Sequence, residues 1–140
     1  MGEQEKAVLQ KIQGYFYNKL TLQELQEQKE HVTYKITPTY GNVSGAAGGG
    51  FSSKVERMGN KTFEIDQRIK KIRIKMALIE TWIDYSDLTA REKRLMYWIA
   101  NNGKLQVFAR KEHIGKDNVY KIRDRALKKI IAHHITHNVG

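Results

Sequence analysis

The sequence predicts an all-α fold: a long helical hairpin or coiled-coil arm, followed by a compact module of three helices. Three observations carry this. Met58, Thr62, Ile65, Ile69, Ile72, Met76, Ile79 and Ile83 alternate steps of four and three residues, the spacing of a heptad seam. Glu3 to Ile36 contains no proline and a single glycine, Gly14. Beyond Leu88, three shorter amphipathic stretches are separated by glycine-bearing turns.

The first helix is read over Glu3 to Ile36 because Val8, Ile12, Tyr15 or Phe16, Lys19 or Leu20, Leu22, Leu25, Val32 and Ile36 recur mostly at steps of three or four. Gly14 costs it about 1 kcal/mol relative to alanine. Thr21-Leu-Gln-Glu24 has the form of a capping box and is expected to start a second helical piece. Pro38 closes the segment, since the residue before proline is driven out of the helical region. Residues 37–53 follow, rich in glycine and serine, and read as a flexible connection. They lack the Gly-Lys-Ser/Thr ending of a phosphate loop. The heptad seam then fills residues 58–83, able to pack on the first helix, on a second copy of the chain, or on both. The arm therefore spans residues 1–87 and the module residues 88–140.

Within the module, Thr89 and Glu92 form a capping box that opens a helix carrying Leu95, Met96, Trp98 and Ile99. Asn101-Asn-Gly103 ends it, with Gly103 as the left-handed stop. Leu105 to His113 reads as a second helix with Leu105, Phe108 and Ala109 inward. Gly115 marks a turn. Lys116 to about His134 reads as a third helix, burying Val119, Ile122, Ala126, Leu127 and Ile130. Trp82, Tyr85, Tyr97 and Trp98 are expected to form an apolar joint between module and arm; a stacking platform for single strands is the alternative.

Charge narrows the partners. The chain of 140 residues has 25 Lys and Arg against 15 Asp and Glu, a formal charge of +10. Residues 71–140 carry most of it, and Lys121, Arg123, Arg125, Lys128 and Lys129 crowd one stretch. Such density calls for a polyanion, and nucleic acid is the commonest. The absence of cysteine excludes disulfides, thiolate zinc sites and cysteine nucleophiles. No apolar run approaches the ~20 residues that span a bilayer, and the start, Met1-Gly-Glu-Gln-Glu-Lys, does not read as a signal peptide. A cytoplasmic protein with no membrane partner is expected. His133, His134 and His137 lack a completing carboxylate and read as a polar tail rather than a metal site. No constellation for acid–base or nucleophilic catalysis is evident, so neither an enzyme nor a cofactor is expected.

Three helices, the last two joined by a tight turn and the third strongly basic, are the parts of a helix-turn-helix, in which one helix enters the major groove of double-stranded DNA. Lys116, Asp117, Asn118, Lys121 and Arg125 are the candidate base-reading positions. Arg123, Lys128 and Lys129 are candidates for phosphate, with Arg94 and Lys104 adding backbone contacts from the earlier helices.

The stretches Leu88-Thr-Ala-Arg-Glu92, Asn102-Gly-Lys104, Phe108-Ala109, Ile114 and Val119-Tyr-Lys-Ile-Arg-Asp-Arg-Ala-Leu-Lys-Lys-Ile130 resemble domain 4 of bacterial sigma factors. The whole layout resembles the small phage-encoded late transcription regulators of the RinA/ArpU group. That resemblance implies a phage or prophage regulator of late genes for packaging and lysis. It further implies binding of promoter DNA as a homo-oligomer such as a dimer, with host RNA polymerase as a further candidate partner. Gly115 stands where the family usually has Ser or Thr, and Glu112-His113 where it has an apolar residue and glycine. The small terminase subunit of a phage packaging motor is the alternative, although such proteins usually place the DNA-binding part first. A helical protein that binds a host protein is a third reading.

Overall fold

The computed structural model describes the backbone of residues 1–36 and 48–135, and the side chains of residues 1–32 and 59–135. Among the described residues the chain is all helical, without strands. The helices are α1 (Glu3–Ile36), α2 (Gly48–Asp84), α3 (Ala90–Ala100), α4 (Leu105–Lys111) and α5 (Lys116–Ile130), and α5 runs on into a π-helical turn, Ile131–Ile135. None is long and apolar enough to cross a membrane.

α1 continues through Thr21–Glu24, so the second helical start expected there does not occur. A capping box works where the chain enters a helix from an extended residue; here the chain is already helical ahead of Thr21, so no such entry exists. Gly48 to Ser53, read above as the end of the glycine-rich connection, belong to α2. Residues 37–47, which hold Pro38 and most of that connection, lie outside the described residues, as do His137 and the Met58 side chain.

The chain divides into two compact units, one of Met1–Lys19 with Lys75–Gly140 and one of Leu20–Ile74. In the second, α1 and α2 run antiparallel. Leu25 and Val32 share a buried cluster with Ile65 and Ile69, flanked by Leu22 and Ile72, and Lys29 Nζ meets Asp66 Oδ1 at 2.7 Å. This part of the heptad seam is thus occupied within the chain, against the first helix.

In the first unit, Val8, Ile12 and Tyr15 of α1 and Ile79, Trp82 and Ile83 of α2 share one core with residues of α3, α4 and α5. Tyr15 donates its hydroxyl to Glu80 Oε1 at 2.7 Å; burial, then the Glu80 carboxylate, pushes that hydroxyl up to about 12. Lys11 Nζ lies 5.7 Å from the Trp82 ring centre. Buried Ser86 donates to the Trp82 carbonyl. Of the four aromatics expected at the joint, Trp82 is buried, and Tyr97 donates to Asp84 Oδ1 at 2.7 Å. Trp98 is half-buried, whereas Tyr85 is exposed and takes no part in the core. Tyr85 lies just past the last helical residue of α2, where the chain turns away toward Leu88.

Candidate nucleic-acid interface

Local rules set the three helices that carry the basic residues. The Thr89 backbone N–H donates to Glu92 Oε1 at 3.0 Å, and the Glu92 N–H donates to Thr89 Oγ1 at 3.2 Å. Both halves of the expected capping box are therefore present. At the other end of α3 the Gly103 N–H donates to the Trp98 carbonyl at 2.7 Å and the Asn102 N–H to the Ile99 carbonyl at 3.0 Å, a Schellman pair. The left-handed residue is Asn102, with φ 66°, and not Gly103 as expected. Gly103 is required for another reason. A β-carbon there would overlap the Trp98 indole, which is fixed because its Nε1 donates to the Lys104 carbonyl at 2.8 Å.

The end of α4 repeats the device. The Ile114 N–H donates to the Ala109 carbonyl at 2.8 Å, and the His113 N–H to the Arg110 carbonyl at 3.4 Å. His113 has φ 56°. A β-carbon makes that region costly, so His113 keeps the turn at a cost. Gly115 then caps α5 with φ −63° and ψ 148° and offers no side-chain hydrogen bond.

α5 is two-faced. Val119, Ala126, Leu127 and Ile130 are buried, with Ile122 partly so. Asn118, Lys121, Arg125 and Lys128 are exposed and follow one another at steps of three, four and three residues, which places them on one face. Among the described residues, no anionic side chain lies within ion-pair distance of Lys121, Arg125 or Lys128. Lys116 and Asp117 occupy the exposed first turn.

The remaining candidates are engaged elsewhere. Arg123 is only 15% exposed in its side chain and pairs with Asp124 at 3.0 Å, while its guanidinium carbon lies 5.1 Å from the Tyr120 ring centre. Lys129 Nζ reaches Glu92 Oε1 at 2.7 Å. Burial alone would raise the Glu92 carboxyl, but hydrogen bonds from Lys129 and Thr89 outweigh it and hold the group below its ordinary value. Arg94 Nε donates to Glu112 Oε1 at 2.7 Å, tying α3 to the turn before α5 and holding the Glu112 carboxyl below its usual range. Lys104 is exposed and stands at the N-cap of α4.

Three side chains near this surface were not singled out from the sequence. Arg110 and Lys111 fill the last turn of α4, with Lys111 Nζ 4.7 Å from the Trp98 ring centre, and Tyr120 is partly exposed beside Arg123. Their membership of the basic stretch was the only available signal. Among the described residues, no group of three or more His, Asp or Glu side chains could hold a metal ion.

Comparison with protein-family models, with curated proteins and with solved structures returned no match.

Proposed function

We propose that the protein binds double-stranded DNA through α5, as a transcription regulator rather than an enzyme. The observation that carries this reading is the single face of Asn118, Lys121, Arg125 and Lys128. It is exposed, cationic and, among the described residues, without ion-pair partners, on a helix whose opposite face is anchored by Val119, Ala126, Leu127 and Ile130. A buried-on-one-side helix of this kind can enter the major groove while its neighbours hold its angle. Asn118 suits adenine, and Lys121 or Arg125 suits guanine. Lys128 suits phosphate, with Lys104 and Arg110 as additional backbone contacts. Arg123, Lys129 and Arg94 serve the module's own packing first, because each already holds a carboxylate.

The connection Glu112–Gly115 between α4 and α5 is consistent with a helix-turn-helix, and with the resemblance to sigma factor domain 4 and to phage late regulators. On that reading the target is promoter DNA of a phage or prophage. The test is capture of fragmented genomic DNA by the purified protein, followed by sequencing. A recurrent motif is the expected outcome; uniform recovery of all fragments would reduce the role to unspecific binding, and no recovery would end it.

A further inference from the structure

The unit Leu20–Ile74 carries two exposed stripes that its own packing leaves unused. On α1, Leu20, Glu24, Glu27 and His31 follow at steps of four, three and four residues, and all are exposed. On α2, Phe63, Gln67, Lys70 and Ile74 do the same and are likewise exposed. Phe63 is 64% and Ile74 62% accessible. At ~100° per residue, each stripe lies roughly 120–150° around its helix from the residues that close the hairpin, Leu25 and Val32 on one side and Ile65 and Ile69 on the other.

We propose that these stripes join copies of this chain head to tail, α1 of one copy lying antiparallel on α2 of the next. In that register Leu20 meets Ile74 of the second copy, Glu24 meets Lys70, Glu27 meets Gln67, and His31 meets Phe63. Every level pairs apolar with apolar, opposite charges, or groups able to hydrogen-bond or stack. Like faces do not suit one another. Two antiparallel α1 stripes would set Glu24 against Glu27, and two antiparallel α2 stripes would pair Gln67 with Lys70 but bring two Lys70 ammonium groups within about one helical turn of each other. The two stripes also point away from each other across the hairpin, so no single partner fills both. The interface is heterologous and propagates into a ring or an open chain. This surface is distinct from the heptad seam and does not depend on the DNA-binding reading.

Sedimentation velocity and native mass spectrometry of the full chain test it. The wild type should assemble beyond two copies, and high salt should weaken the assembly. Glu24→Lys and Lys70→Glu should each weaken association about tenfold, because an attractive pair becomes a repulsive one. The double variant Glu24→Lys/Lys70→Glu should recover it, as should an equimolar mixture of the two single variants. Both positions are exposed, and unchanged helical circular dichroism verifies the fold. A monomeric wild type, an assembly that stops at two copies, single variants of unchanged mass, or a folded double variant that fails to recover association would each overturn the proposal.

Discussion

Lys129, near the end of α5, donates to Oε1 of Glu92, in the first turn of α3, at 2.7 Å. The Glu92 side chain is almost wholly buried and also accepts from the Thr89 backbone N–H. One carboxylate therefore caps α3 and fastens it to α5. Glu92→Ala should lower unfolding stability by about 2 kcal/mol, since it removes the cap and strands the Lys129 ammonium. Glu92→Gln keeps an acceptor for Thr89 and should lose only about 1 kcal/mol, the charge-assisted part. Because the folded-state carboxyl is held below its ordinary value, its contribution is complete above the ordinary carboxyl range of about 4.3. It is lost as pH falls through the lower folded-state value. Denaturant unfolding at neutral and acid pH checks this: wild type and Glu92→Gln should converge in acid.

Gly103 should tolerate no side chain. Its β-carbon would overlap the Trp98 indole, which cannot swing aside without breaking its bond to the Lys104 carbonyl and leaving Lys111. Gly103→Ala should cost about 2 kcal/mol, as overpacking does. Thermal unfolding followed by tryptophan fluorescence would report both the lost stability and the changed indole environment.

His113 should behave in the opposite way. Its φ of 56° strains a residue with a β-carbon, and glycine adopts that conformation freely. His113→Gly should gain roughly 0.5–1 kcal/mol after the extra freedom of the unfolded chain is subtracted. Its helical content should not change. A loss of stability in denaturant titration would mean that the His113 side chain supports the turn in some other way.

These cases mark what the sequence makes legible. Thr89 and Glu92 are three residues apart and their bonds are local, so the capping box can be read directly. The all-helical class follows from spacing for the same reason. Asn102 and Gly103 both suit a left-handed position, and only the approach of Trp98 decides between them. The Thr21–Glu24 pattern matches a cap but sits where nothing interrupts α1. The partners of Lys129 and Arg94 lie far along the chain, so a count of basic residues cannot separate cations held by carboxylates from those left open. Burial on α5 was legible from its periodicity, whereas the loss of Arg123 to Asp124 depends on side-chain geometry.

That separation gives the DNA reading a control. Lys129→Ala should cost stability through Glu92 and leave the salt dependence of DNA binding close to that of wild type. Lys128→Ala, at an exposed position, should weaken preferred and random DNA about equally and flatten the salt slope by about one unit. Fluorescence anisotropy across a salt series distinguishes the two.

The most direct measurement compares the Lys121→Ala/Arg125→Ala double variant with wild type on the preferred site and on random DNA, both proteins being verified as folded. If α5 reads bases, the preferred site should lose about 2–5 kcal/mol, and random DNA much less, so that discrimination falls. Unchanged affinity and unchanged site preference would contradict the assignment of α5 as the DNA-reading helix, and with it the proposed function.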